Sequence, residues 1–420
     1  MLDTIVLCPR VRNRLLSGPA GPFLELLSLA LREQQYPTTT IGSYLKATDR
    51  FCRWIHDAGL TVELADAVTV AVYVASLRRA GRTSNGRRRT PKPAVGLSHF
   101  IALLARNGCR GPIAPAREST PAERLLAEYE RHMRDVQGLA PSTRREYIRY
   151  ASRFIGVIFG HGSLEWERLT ARDLAAYVTR EASSRRGQGR KWPGNGVRAF
   201  LRFVAGRGEI REGLLAAIPK IRNWKLAALP RYLNADDVEK LVSVCDDQSA
   251  VGLRNRAIVL VLARLGLRAH EVTGLQLSDL DWSDGIIVVA PGKTRRERRL
   301  PMPVDVGEAL SRYLKDGRPR CAHRHVFARA TPPFSALATA SAVTHIVQRL
   351  AGRAGVTLPP GVASHALRHT AATQMVRRGA SFKDVADVLG HRRLQTTAHY
   401  AKLDLDALVR VALPWPGGSL

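Results

Sequence analysis

The C-terminal half of the chain carries a series of residues able to break a phosphodiester without a metal ion. Arg268 stands in LARLGLRAHEVTGL, with Glu271 one helical turn further on. Lys293 follows in PGKTRRERRLPMP. His365 and Arg368 lie three residues apart in SHALRHTAATQM, so a helix would set both on one face. LGHRRLQTTAHY holds His391 and Tyr400, nine residues apart. The chemistry needs a nucleophile for phosphorus, fixed cations for the non-bridging oxygens as charge gathers there, and an acid for the departing alkoxide. Arginine suits the second task, because its planar fork binds two oxygens and keeps its charge. A lone tyrosine usually only packs, and so does a lone histidine on a helix. The chemical reading comes from the whole series, in this order, between residues 268 and 400.

That series resembles the tyrosine recombinase (phage integrase) family. The family's pattern is an arginine in a GLR-x-x-E segment, a lysine on a β-hairpin, H-x-x-R, the histidine of LGH and a tyrosine nine residues later. Every position is filled here. The resemblance covers residues 234–403 and extends to 121–222. It implies that Tyr400 attacks the scissile phosphate, forming a 3′-phosphotyrosyl bond and releasing a 5′-hydroxyl. It implies that Arg268 and Arg368 clamp the phosphate oxygens and that Lys293 is the general acid on the leaving oxygen. His365 would assist proton transfer with Tyr400, His391 would hydrogen-bond the phosphate, and Glu271 would support an arginine. The covalent link keeps the bond energy for rejoining, so no cofactor and no metal are implied. Arg295, Arg296, Arg298 and Arg299 lie beside Lys293 and could make phosphate contacts in its place. His369 and His399 fall outside the pattern, and Thr370 and Thr373 read as structural.

The elements that must hold these residues can be read around them. RNRAIVLVLARLGL predicts a strongly apolar helix leading into Arg268. GIIVVAP predicts a β-branched strand, and KTRRERRLPMP a basic turn and a second short strand, with Lys293 at the tip. Helices follow at SALATASAVTHIVQRLAGRAG, ALRHTAATQMVRRG and SFKDVADVLG, the last two stopped by Gly379 and Gly390. NADDVEKLVSVC opens this region with a helix capped by Asn234 or Asp236. The expected fold is mainly α with a small antiparallel β-sheet in the catalytic domain. The family adds helical SAM-like DNA-binding domains ahead of it.

Two earlier segments look alike. Tyr44 and Tyr147 are 103 residues apart, and so are Phe51 and Phe154; Tyr73 and Tyr177 are 104 apart. HFIALLARNG echoes AFLRFVAGRG at an offset of 100. Ser142 or Thr143, with Glu146, reads as a capped helix start. Basic, Gly-rich runs, RRAGRTSNGRRRTPKP and SSRRGQGRKWPGNG, lie between the matched helices and are placed to touch phosphates. The chain therefore divides into a lead-in (1–20), a helical module that is a candidate duplicate of the core-binding domain (21–112), the core-binding helical domain (121–222) and a catalytic domain with a C-terminal tail (233–420). A typical family member has one helical domain ahead of the catalytic one. The first module is the departure.

Charge supports nucleic acid as partner. Lysine and arginine number 65 against 36 aspartate and glutamate, a net +29, and the basic residues run through the whole chain. Such a field attracts polyanions. The longest apolar run near the middle, AIVLVLA, is far short of the ~20 residues that cross a bilayer, and the N-terminus lacks a secretion signal. No membrane is expected. Five scattered cysteines suggest no disulfide framework and fit a reducing cytoplasm. The stretch CAHRH is too crowded, and too isolated, to make a convincing metal site.

The partners implied are double-stranded DNA with specific recombination sites and a homotetramer in the synaptic complex, with other recombinases or accessory DNA-bending proteins as further candidates. The tail DLDALVRVALPWPGGSL has helical spacing and docks either on a neighbouring protomer or on its own domain. Other functions stay open at this point: a DNA-binding accessory protein on the same fold, or a topoisomerase using the same chemistry. The duplicated module favours integration or transposition of a mobile element.

Overall fold

A computed structural model of the protein describes residues 2–80, 93–109, 119–160, 162–185, 187–221, 232–291, 297–359 and 363–391. The chain divides into two compact units, one formed by Met1–Gly111 with Leu229–Leu420 and the other by Pro112–Ala228. The first unit holds separate N-terminal and C-terminal hydrophobic cores.

The N-terminal core is built by α1 (Pro9–Leu16), α2 (Gly21–Glu33), α3 (Thr38–Asp57), α4 (Ala67–Ala80) and α5 (Pro93–Arg106). The apolar spacing of α3 puts Ile41, Leu45, Cys52 and Ile55 on one buried stripe. Leu2, Val6 and Leu15 lie in the same core. Residues 1–20, expected as a lead-in, thus contribute to the module itself, because α1 has its own apolar face.

The second unit repeats this plan with α6 (Pro121–Asp135), α7 (Pro141–Ile158), α8 (Ala171–Ser183) and α9 (Trp192–Ala205). Matched aromatic pairs hold matched helices. Phe51 meets Tyr73 at 5.2 Å between ring centroids, and Phe154 meets Tyr177 at 5.2 Å. Phe100 takes an edge from Phe23 of α2, and Phe200 one from Tyr129 of α6. A β-carbon on Gly96 would lie 2.8 Å from the Tyr44 ring, and one on Gly196 2.8 Å from the Tyr150 ring. The tyrosine facing the glycine in the second unit is therefore Tyr150, one turn beyond the Tyr147 that the sequence pairs with Tyr44. The start of α7 also differs from expectation. The helix begins at Pro141 with Ala140 at its cap and no side-chain cap bond. Proline at the first position, with φ already helical, starts the helix without a side-chain cap from Ser142 or Thr143.

The C-terminal core surrounds α11 (Ala250–Leu265), which follows α10 (Ala235–Ser243). Asn234 caps α10, accepting from the Asp237 N–H at 2.6 Å. Helix α11 is buried on nearly every side, Arg254 and Asn255 included. Next come α12 (Ala269–Gly274) and an antiparallel sheet of β1 (Leu280–Asp281), β2 (Ile286–Val289) and β3 (Arg298–Pro301) in that order. Ile287 pairs with Leu280 on one side and Leu300 on the other, and all three side chains are buried. Helices α13 (Val304–Arg312), α14 (Ala340–Ala354), α15 (Ala363–Arg377) and α16 (Phe382–Leu389) complete the domain. The Thr370 hydroxyl on α15 accepts from the Leu233 N–H at 2.9 Å, a structural role that ties the segment before α10 to α15. Among the described residues, no helix is long and apolar enough to cross a membrane.

Candidate active site

Arg268 and His391 sit at helix ends, and two glycines make those ends possible. Helix α11 stops at Gly266, whose φ is +64°. A β-carbon there would lie 2.6 Å from Leu389 Cδ2. The left-handed turn leaves the Gly266 carbonyl accepting from Arg368 Nη1. Helix α12 begins straight after Arg268. Helix α16 stops at Gly390, φ +62°, and the His391 N–H returns to the Ala386 carbonyl at 2.8 Å. His391 is thereby held one residue past the helix.

The last carbonyls of a helix lack internal partners and carry its negative end. In α16 three arginines from three other elements satisfy them. Arg298 Nη1 donates to Val388 O at 2.6 Å, Arg368 Nη2 to Leu389 O at 2.6 Å, and Arg268 Nη2 to Gly390 O at 3.4 Å. Arg368 is buried, with 4% of its surface exposed, and also donates to His391 Nε2 at 3.1 Å. Arg268 and Arg368, distant in sequence, are thus held at one helix end.

Glu271 binds this cluster from the other side. Its Oε2 accepts from the Arg268 backbone N–H and its Oε1 from Arg268 Nη1, both at 2.8 Å. Arg298 Nη2 lies 2.8 Å from the same Oε1 as an ion pair, without an aligned hydrogen bond. Burial opposes the charge on Glu271. The Arg268 N–H and the charges of Arg298 and Arg268 outweigh it and hold the carboxyl below its ordinary value.

The histidines respond in the opposite sense. Burial, then the charges of Arg368 and Arg268, lower His391 to about 4. Burial of part of the ring, then the charges of Arg368, Arg268 and His270, lower His365, although the residue keeps an exposed edge at the start of α15. Both are neutral imidazoles near pH 7. The arrangement combines two fixed guanidiniums with neutral proton donors and acceptors, which suits a phosphate diester.

Arg268, Arg368 and His391 are brought together at this helix end, and His365, one turn before Arg368 on α15, feels the charges of Arg368 and Arg268. Lys293, between β2 and β3 in sequence, and Tyr400 lie outside the described residues, as does the C-terminal tail. Arg298 corrects an expectation. The sequence offers it as a phosphate contact in place of Lys293; its side chain, only 8% exposed, instead turns inward to Glu271 and the Val388 carbonyl. The strand period carried the signal, since Arg298 shares a face with buried Leu300. Arg299 is the outward neighbour, 4.0 Å from Asp281 and from Asp284. His270, whose charge bears on His365, was not anticipated either. At CAHRH, His323 Nε2 pairs with Phe334 O at 3.0 Å, and Arg318 donates to the His323 and His325 carbonyls. No group of three or more His, Cys, Asp or Glu able to hold a metal ion occurs among the described residues.

Comparison with known proteins gives this site its setting. Residues 231–406 match the pattern of the Phage integrase family. A Sinorhizobium fredii protein named integrase/recombinase y4rA is 38% identical over 403 residues, which is 95% of each chain. The tyrosine recombinase XerC of Anoxybacillus flavithermus is 32% identical over 227 residues, covering 52% of this chain and 72% of its own. Among solved structures, a lambda integrase tetramer bound to a Holliday junction aligns with a TM-score of 0.53 at 17% identity, over 80% of this chain and 87% of that one. The Tn1549 transposon integrase in complex with a circular intermediate DNA aligns at 0.52 and 18%, over 68% and 99%. At such identities the structures speak for the fold. The family pattern spans the segment that carries Arg268, Arg368 and His391, the relationship to y4rA runs nearly the full length, and the chain belongs to the phage integrase family, the tyrosine-type site-specific recombinases.

Proposed function

We propose that the protein cuts and rejoins double-stranded DNA at specific sites through a 3′-phosphotyrosyl bond to Tyr400. The observation that carries this reading is the convergence of Arg268 and Arg368 on the C-terminal end of α16, beside His391. Donors already held by backbone carbonyls need little reorganisation when charge develops on the phosphate oxygens. In this reading Arg268 and Arg368 hold those oxygens and His391 hydrogen-bonds one of them. His365 takes part in proton transfer with Tyr400, and Lys293 protonates the departing 5′-oxygen.

The net charge of +29 supports a duplex partner. The N-terminal module and the second unit, with their matched aromatic pairs, would act as duplicated DNA-binding modules at 21–112 and 121–222, ahead of the catalytic region at 233–420. Four active sites are needed to exchange four strands, so a homotetramer on two duplexes is the working assembly, in the cytoplasm. Solved relatives named as a transposon integrase and as a tetramer on a Holliday junction support both the assembly and a role in moving a mobile element.

The reading is tested with a duplex selected by this protein from a random-sequence library and rebuilt with a nick beside the cleavage position. The expected product is protein joined to the 3′-phosphate side, with a free 5′-hydroxyl opposite. Attachment to a 5′-phosphate, or none, rejects it.

A further inference from the structure

We infer that Arg298 is a positioning residue for strand cleavage, keeping the Arg268–Glu271 pair net positive and fixing the helix end that precedes His391. The inference rests on the recombinase reading above. It assigns a task to a residue outside the phosphate-handling series.

Arg298 opens β3, paired with Val289. Burying a guanidinium is unfavourable unless its charge is matched and its donors are used. Nη1 uses its donor on Val388 O, and Glu271 Oε1 matches the charge at Nη2 without an aligned hydrogen bond. A third constraint is steric, since a β-carbon on Gly390 would lie 2.9 Å from Arg298 Nε. One side chain therefore touches the element carrying Arg268, through Glu271, and the end of the element carrying His391. It does so from the strand that follows Lys293 in sequence.

The charge arrangement matters most. Glu271 Oε1 is shared between Arg268 Nη1 and Arg298 Nη2, each at 2.8 Å. Two guanidiniums against one carboxylate leave a net charge of +1 in the triad. Without Arg298 the carboxylate would face Arg268 alone, and the pair would sum to zero just where a phosphate must be attracted. Ion pairs at this depth are weakly screened, so that change would be felt at the reacting phosphate. Arg298 is also one of the charges that keep His391 neutral.

The experiment measures the rate of covalent attachment to the nicked duplex at saturating protein, and affinity for the intact duplex separately. Arg298→Met should slow attachment by about 10- to 100-fold, somewhat less than loss of a direct charge-stabilising donor, and weaken duplex binding far less. Glu271→Gln added to Arg298→Met should recover at least about tenfold of the lost rate, because removing the carboxylate with its counter-charge restores the field of Arg268. Arg298→Lys keeps the charge and should stay within about tenfold of wild type. It also serves as the test should Arg298→Met fail to fold. A double variant no faster than Arg298→Met, an Arg298→Lys protein as slow as Arg298→Met, or an Arg298→Met protein at the wild-type rate overturns the inference alone. Wild-type protein that forms no adduct through Tyr400 overturns the recombinase reading, and the inference falls with it.

Discussion

Arg368 Nη2 donates to His391 Nε2 at 3.1 Å, joining the start of α15 to the residue just beyond α16. A guanidinium cannot accept a hydrogen bond, so Nε2 is the acceptor and the proton of the neutral ring sits on Nδ1. Burial, and then the Arg368 charge that a second cation on Nε2 would face, lower His391 to about 4. The arginine proposed to hold the phosphate thus also sets which histidine nitrogen can donate to it.

This pairing predicts a pH effect on stability. The folded value of His391 lies below the ordinary 6.5. As pH falls from about 6.5 to about 4, the unfolded chain takes up a proton that the folded chain refuses, so stability drops across that window and levels off below it. His365 shifts in the same direction. Melting temperatures of His391→Asn, which retains an acceptor for Arg368, should fall less steeply than wild type across this range. Parallel curves would argue against a neutral His391.

Replacing Arg368 should damage both fold and chemistry. Arg368→Ala removes the donor to Gly266 O and Leu389 O, and an unsatisfied buried carbonyl costs about 1–3 kcal/mol. A lower melting temperature is expected together with loss of covalent attachment. Arg368→Lys keeps the charge but cannot serve three acceptors in one plane, so it should bind duplex while attaching at least about 100-fold more slowly.

Gly266 is a separate test of how the helix ends are held. Gly266→Ala places a side chain at φ +64° and 2.6 Å from Leu389 Cδ2. The backbone strain is about 1–2 kcal/mol, and crowding adds about 1–3 kcal/mol. Gly274→Ala, where a β-carbon meets nothing within 4 Å, is the control. Calorimetry should show a drop of several degrees for the first and almost none for the second.

Much of this was legible in the sequence, for reasons that are local. The apolar run of α11, the Asn234 cap, the β-branched run of β2 and the glycine stops depend on residues close together in the chain. So do the His365–Arg368 spacing and the Arg268–Glu271 turn. What escaped depends on distant partners. Strand β1 is two residues long and exists because Ile287 lies opposite. Arg298 reads as one of four arginines beside Lys293 until Glu271 and the Val388 carbonyl are placed beside it. The shift from Tyr147 to Tyr150 follows from which tyrosine meets a glycine on another helix.

DNA binding should be strongly salt-dependent. With a net charge of +29 and six or more phosphates neutralised, affinity should fall by about a thousandfold between about 50 and about 200 mM salt. Filter binding or fluorescence anisotropy across that range reads the slope directly. A nearly flat profile would remove the electrostatic basis for the duplex reading.

The central claim is that Tyr400 is the nucleophile. The most direct measurement compares wild type with Tyr400→Phe on the nicked duplex, resolving protein–DNA adducts under denaturing conditions. Wild type should give a 3′-linked adduct and Tyr400→Phe none, with both proteins binding the intact duplex equally. An adduct that persists in Tyr400→Phe would contradict it.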